Sequence, residues 1–308
     1  MQNERPFLLG TDWWTDVDDV VAMRVFARAH KAGLIQLRAV CINACMEYSC
    51  PSLDAFLRNE GLPGLPIGID RGATSYGGRP SYQMRMAQSP GVRANDACVD
   101  AVRLYRQTLA TAENQIEIAE IGFCQVLAAV LHSPPDDLSP LPGRALLEQK
   151  CRHIWSMAGR WDDPAGGYEY NLSHTRANCR AASDFYENCP VPVAFLGFEV
   201  GLDVLTGDVL KGRDDMLALA LKDHGSENGR HSWDPMLAML AIAGETAIVG
   251  GTTMAGEKAG YRAVRGQAKI DPEDGRNRWV PDENGLQRYV VKIRPDDFYR
   301  NAINSMIQ

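Results

Sequence analysis

Phe7-Leu8-Leu9-Gly10-Thr11-Asp12-Trp13-Trp14-Thr15-Asp16-Val17-Asp18-Asp19 passes from a short apolar run through an acidic loop into a helix. The first three residues read as a buried strand. From Asp18 onward, Val20, Val21, Met23 and Ala27 recur at helical spacing, and Lys31-Ala32-Gly33 supplies a stop. A second strand follows at Leu37–Ile42, a helix around Pro51–Leu57, and a third strand at Leu65–Ile69. Strand, helix, strand, helix, strand is the order of a mainly parallel sheet built through crossovers. The expected fold class is therefore α/β: an open, mainly parallel but mixed sheet flanked by helices.

Further along, Arg71 to Ser89 reads as a long loop, followed by a helix through Ala97, Val102 and Tyr105. Strands are predicted at Ile116–Ile121, His153–Met157 and Val191–Leu196, with helices over Val126–Leu131 and Ala177–Tyr186. Ser133 to Leu141 is a proline-rich connection. An apolar helix runs from Trp233-Asp234-Pro235 to Ala243, and a β-like Arg288–Ile293 precedes a short helix from Pro295. No repeat and no long linker divides the chain, so residues 1–308 are expected to form a single domain.

Four carboxylates, Asp12, Asp16, Asp18 and Asp19, fall within eight residues between a strand and a helix. In open α/β sheets the carboxyl ends of the strands are where sites form. Capping and the helix dipole account for one or two of these aspartates. Four so close raise one another's pKa unless a cation neutralises them. Hard carboxylate oxygens select calcium or magnesium over zinc.

The chain has 308 residues, 45% hydrophobic and 23% charged, with a net charge of -7. That balance, with no basic run, argues against a nucleic-acid binder. No stretch approaches the roughly 20 apolar residues of a membrane span. The opening Met1–Pro6 leads into an apolar run too brief for a secretory leader, so a cytoplasmic location is expected. The eight cysteines include no CxxC pair. They are expected to be reduced thiols packed as small hydrophobes, with a cluster of Cys41, Cys45 and Cys50 as the lesser alternative.

Asp12-x-x-x-Asp16-Val17-Asp18-Asp19 after a strand resembles the aspartate motif of the inosine–uridine-preferring nucleoside hydrolases, in the longer version that some divergent members carry. Met157-Ala158-Gly159 and Glu169-Tyr170-Asn171 resemble that family's Met-Gly-Gly and Glu-Phe-Asn pair. Val193 to Gly201 is similar to the strand and turn that follow, and Ser232-Trp233-Asp234-Pro235 to the late His-Asp-Pro motif. The resemblance implies that a calcium ion, Ca2+, is held by Asp12, Asp19, Asp234 and the backbone carbonyl of Gln125. It implies that Asp18, Glu169 and Asn171 hold the ribose hydroxyls, with Trp233 beside the substrate. Asn43, after the second strand, is a further candidate for reaching the sugar, although the family's asparagine aligns more naturally with Met46. The implied reaction is hydrolysis of the N-glycosidic bond of a small ribosyl substrate, with Asp12 as general base. Relatives of this kind form homodimers or homotetramers.

Three departures stand out. Gly10 occupies a place where most members have another aspartate, which weakens support for the metal site. Trp13 and Trp14 replace small residues; one filling the core and one facing the site is compatible with adjacent side chains pointing oppositely. Trp233 replaces a histidine, and an indole can stack or donate one N–H but cannot protonate a leaving group. His231, His174, Tyr170, Tyr168 and Tyr48 are the remaining candidates for that task. These departures keep a second reading open: an altered member that binds a ribosyl ligand or acts on a specialised modified nucleoside. A magnesium phosphohydrolase with Asp12 as nucleophile would want an aspartate where Trp14 stands.

Overall fold

The computed structural model describes residues 5–249 and 259–308. Its strands in chain order are β1 (Arg5–Thr11), β2 (Ile35–Ile42), β3 (Ile67–Ile69), β4 (Val99–Asp100), β5 (Ile116–Glu120), β6 (Cys151–Met157) and β7 (Val193–Leu196). They continue with β8 (Leu205–Thr206), β9 (Arg230–His231), β10 (Ile248–Val249), β11 (Tyr261–Ile270), β12 (Asn277–Pro281) and β13 (Gln287–Lys292). β8 and β9 pair only with each other. The rest form one sheet in the order β4-β3-β2-β1-β5-β6-β7-β13-β11-β10, with β12 also beside β11. From β4 to β13 neighbouring strands run parallel, and β11 runs against β13. The sheet is the mixed, mainly parallel one that the alternating pattern implies.

Phe7, Leu8 and Leu9 of β1 are fully buried because the strand is central and covered on both faces. Successive side chains alternate: Phe7 and Leu9 join the apolar cluster on one face of the sheet, Leu8 the cluster on the other. The helix Asp18–Lys31 lays Val20, Val21, Val25 and Phe26 on the first face, beside the helix Trp233–Ala243. Gly33, at φ 70°, ends the first helix in the left-handed conformation that glycine tolerates. β1 pairs with β2 on one side and β5 on the other, so the chain order reverses there. Asp12, Asn43 and Ile121 leave the sheet at the carboxyl ends of these three strands, which is the switch-point crevice of such folds.

Gly10 lies opposite Glu120 in the β1–β5 register. A methyl group built on Gly10 would overlap the Glu120 carboxylate. A larger residue there would have to displace that carboxylate. Glu120 is fully buried and accepts hydrogen bonds from Asn43 Nδ2 (2.8 Å), Gly122 N (3.2 Å) and the Tyr105 hydroxyl (3.2 Å).

Several elements differ from the sequence reading. The Arg71–Ser89 segment contains a helix, Ser81–Met86, too short to show periodicity. The helix expected through Ala97 instead begins at Ala101, where Asp100 caps it by accepting from Arg103 N at 2.9 Å. β11, β12 and the helix Met216–His224 were not anticipated. The expectation of eight reduced thiols is corrected: Cys50 and Cys98 form a disulfide, joining the start of the helix Ser49–Asn59 to the segment before β4. The other six cysteines are free. Among the described residues no helix is long and apolar enough to cross a membrane.

Thiol titration of the denatured, unreduced protein should find six thiols, rising to the eight of the sequence after reduction; eight without reductant would disprove the disulfide. Gly10→Asp should destabilise the fold by about 1–3 kcal/mol, as overpacking does. Adding Glu120→Ala should recover most of that loss, since the two carboxylates contest one space. Denaturant melts of the single and double variants check this, and an additive loss would contradict it.

Candidate active site

The turn after β1 is shaped by its own side chains. Thr11 Oγ1 donates to Asp19 Oδ1, and Trp13 N donates to both Thr11 Oγ1 (3.0 Å) and Asp19 Oδ1 (3.2 Å). These bonds fold the chain back so that Asp12 and Asp19 face one another. Trp13 pays for the reversal with φ of 43°, a left-handed conformation costing a bulky residue about 1–3 kcal/mol. Burial offsets that cost. Trp13 packs between Phe56 and Tyr82, and its indole N–H donates to Ser52 Oγ at 2.8 Å. Gln83 Nε2 donates to the Trp13 carbonyl and Tyr82 Oη to the Trp14 carbonyl, so the unanticipated short helix braces the turn.

Asp16 is committed elsewhere. It accepts from Val17 N at 2.7 Å and forms an ion pair with Arg230. Burial pushes its carboxyl up, but the Arg230 bonds and charge more than offset this and hold it below the ordinary range. The other acidic residues converge. Asp18, Asp19 and Asp234 bring carboxylate oxygens within 4.8 Å of one another. Asp234 arrives on the first turn of the helix Trp233–Ala243, and its backbone N–H donates to Asp18 Oδ2 at 3.2 Å. Burial, then the charges of Asp18, Asp19 and Asp12, push the Asp234 carboxyl well above the ordinary range. Burial and neighbouring carboxylates do the same to Asp18 and Asp19. Burial, with the charges of Asp18 and Asp16, lifts Asp12 to about 7 against a hydrogen bond shared with Asp19.

These carboxylates line a cavity of about 300 Å³ together with Glu169, Asn171, Trp233 and the apolar Ile121, Met157 and Phe198. Glu169 caps the short helix Tyr170–Ser173, accepting from Asn171 N at 2.7 Å and from Gly159 N at 2.9 Å. Burial lifts its carboxyl to about 7 even so. Asn171 Nδ2 donates to the Met157 carbonyl at 3.0 Å, fixing the amide at the end of β6. Seven of the nine candidate residues thus share one cavity: Asp12, Asp18, Asp19, Glu169, Asn171, Trp233 and Asp234.

Asn43 and Gln125 stand outside that lining. Both ends of the Asn43 amide are engaged, Nδ2 by Glu120 and Oδ1 by Phe123 N at 3.0 Å. Gln125 opens the helix Gln125–His132, and its side chain bonds the Asn43 carbonyl and Asn178. The two residues fasten the turn after β5 against β2. Gly122 is required in that turn, because a Cβ there would strike the Asp12 backbone and Asn43 Oδ1. Glu120 anchors the same network from a buried position. Its carboxylate fills the space above Gly10, so β5 brings an acid to the place where β1 lacks one.

An aromatic wall flanks the cavity. Trp14 and Tyr170 line it, and behind them Tyr76, Phe123 and His174 stack with centroids 4.7–5.5 Å apart. Trp13 in the core and Trp14 at the site divide the tandem tryptophans between the two roles. Trp233 stacks on Phe198 at 5.2 Å and spends its N–H on the Phe198 carbonyl at 2.9 Å. His231 Nδ1 is engaged by the Leu202 carbonyl. Tyr168 bonds Asp274 Oδ2 and is exposed. Of the candidate proton donors only Tyr170 lines the cavity, joined there by Arg230, whose guanidinium lies 5.4 Å from the Trp233 ring. Arg230 and Glu120 escaped the sequence reading, since an isolated Arg or Glu carries no pattern.

The donor set suits a hard divalent cation. All the converging ligand atoms are carboxylate oxygens, they are buried, and their mutual repulsion is what a 2+ charge would relieve.

No family model and no curated protein sequence matches the chain. Solved structures do. The inosine–uridine preferring nucleoside hydrolase from Bacillus anthracis superposes with a TM-score of 0.69 at 15% identity, covering 99% of both chains. A purine-preferring ribonucleoside hydrolase from Gardnerella vaginalis gives 0.67 at 15% identity over 98% of this chain and 99% of its own. The type III effector protein XopQ, solved with adenosine diphosphate ribose, gives 0.65 at 14% identity over 100% of this chain and 93% of its own. At these identities the likeness is one of architecture, and the architecture of this chain is that of the nucleoside hydrolases.

Proposed function

We propose that the chain is a calcium-dependent N-ribohydrolase that cleaves the N-glycosidic bond of a ribonucleoside or a related ribosyl compound. One observation carries this reading: Asp234, more than 200 positions away in the chain, meets Asp18 and Asp19 in a buried cavity that also holds Asp12, Glu169 and Asn171. Gln125, which the resemblance adds to the ligand set, lies outside the cavity lining; in this reading Asp12, Asp19 and Asp234 would hold the calcium, and the bound ion would supply positive charge toward a water and the ribose hydroxyls.

The chain's own groups do the rest. An Asp12 carboxylate oxygen takes the proton of the attacking water as general base. Asp18, Glu169 and Asn171 bind and orient the ribose hydroxyls. As the glycosidic bond breaks, positive charge grows on the sugar, and the surrounding carboxylates stabilise it. The apolar Ile121, Met157 and Phe198 keep bulk water from the reacting carbon. Tyr170 and Arg230 are the polar groups placed to meet the departing base; Trp233 contributes a ring face, because its N–H is already bonded.

A second reading is favoured by that committed N–H and by the aromatic wall. In it the site binds a ribosyl ligand without rapid turnover, and the likeness to XopQ, solved with adenosine diphosphate ribose, fits this alternative.

A nucleoside panel assayed with calcium should release free ribose. Asp12→Asn should reduce kcat by about 10²- to 10⁴-fold, the usual contribution of a general base. Titration calorimetry of chelator-treated protein should show one calcium site, lost in Asp234→Asn. No hydrolysis of any nucleoside, with calcium bound and adenosine diphosphate ribose raising Tm, would overturn the hydrolase reading in favour of the second. Failure to bind calcium would remove the metal centre from both.

A further inference from the structure

A second cavity, of about 470 Å³, lies at the opposite end of the sheet from the acidic site. Its walls come from the amino ends of the strands: Arg5 of β1, Glu117 of β5, Arg152, His153 and Trp155 of β6, and Arg288 of β13. Arg265 of β11 completes the basic set. Four guanidinium groups therefore face two carboxylates, Glu117 and Glu245. Arg5 pairs with Glu117, and Arg288 with Glu245. Arg152 and Arg265 are exposed, and neither forms an ion pair within 4.0 Å among the described residues. The surplus is two positive charges, on a chain whose net charge is -7.

Two further features show that this arrangement is not optimised for the free protein. Arg265 lies directly opposite Arg288 in the antiparallel β11–β13 ladder, a placement in which like charges destabilise the sheet. Six buried side-chain polar atoms lack a hydrogen-bond partner among the described residues, and three of them belong to this wall: Arg5 Nε, Arg288 Nε and His153 Nε2. Arg5 Nε lies 3.0 Å from Glu117 Oε1 but without hydrogen-bond alignment. His153 is only 8% exposed, so its imidazole is a buried polar side chain left unsatisfied. Buried polar groups are normally paired, so a cluster of exceptions marks a wall whose polar groups are not fully satisfied within the chain.

We propose that this cavity binds a small phosphate ester. A phosphomonoester carries about 1.5–2 negative charges at neutral pH, matching the surplus, and guanidinium forks suit its oxygens. The cavity is far larger than a bare phosphate needs and falls in the range of metabolite pockets. Trp155, Pro192 and Leu286 give the organic body an apolar wall. The inference is independent of the chemistry at the other end of the sheet.

The test uses glycerol phosphate and inorganic phosphate as probes, with glycerol and equal ionic strength of chloride as controls. Calorimetry should give saturable one-to-one binding of glycerol phosphate, tighter than inorganic phosphate. At a hundredfold excess over Kd, Tm should rise by roughly 3–6 °C. Arg152→Ala/Arg265→Ala, both at exposed positions, should weaken binding at least tenfold, while Asp12→Asn and Asp234→Asn should leave it unchanged. Arg265→Glu separates a ligand site from a structural cluster: it should raise the Tm of the free protein and abolish the phosphate effect. A lowered Tm in Arg265→Glu, an equal response to chloride, or undiminished binding in the double variant would each overturn the proposal.

Discussion

Mutual repulsion among Asp12, Asp18, Asp19 and Asp234 is the constraint around which this molecule is built. Four carboxylates at one buried crevice oppose folding unless they hold protons or share a cation. The fold brings them together nonetheless. It does so by packing the helices Asp18–Lys31 and Trp233–Ala243 side by side on one apolar face, with their amino ends at the same edge. Both helix dipoles then place partial positive charge at the carboxylates, a small offset to a large electrostatic cost. Apolar burial along the two helices supplies the attraction that drives the acids into register.

Much of the frame could be read from the chain itself. The strand–acid loop–helix unit at the start, the later strands of the parallel core and the apolar helix after Trp233 all have periodicities that survive into the structure. The aspartate cluster was legible because its density exceeds what capping explains. Asp16 shows how far that argument reaches: it lines the cavity with its three neighbours, but it alone of the four is held by the helix-start N–H of Val17 and by an ion pair with Arg230. The Ser81–Met86 helix was hidden by its brevity, and β11 by alternating charged and small residues that resemble a loop. Asn43 and Gln125 sit at the expected strand ends, yet their side chains turn to each other's elements rather than into the cavity. Sequence position locates a residue at a strand end; only packing decides which way its amide points.

The strand β5 illustrates the same point. Ile116-Glu117-Ile118-Ala119-Glu120 is a strand in both the sequence and the structure, and both of its glutamates are buried. They serve opposite ends of the sheet. Glu117 accepts from the Trp155 indole at 2.7 Å beside the basic cavity, and Glu120 anchors the turn beneath the acidic one. The two cavities give the molecule a polar axis, acidic at the carboxyl ends of the strands and basic at the amino ends, with Glu117 in the wall of the basic one.

Trp13 carries a consequence of its own. The backbone twist that aims Asp12 inward is held by an indole embedded between Phe56 and Tyr82, deep in the same apolar mass that stabilises the whole protein. The loop therefore cannot loosen by itself: releasing Asp12 from its orientation means extracting the largest side chain from the interior. Substitution at this position is correspondingly constrained. A smaller residue would suit the twist but leave a void, and a β-branched one would fill space but resist the twist. The orientation of the acid and the cohesion of the interior are thus physically coupled, and no change of this residue alone alters one without the other.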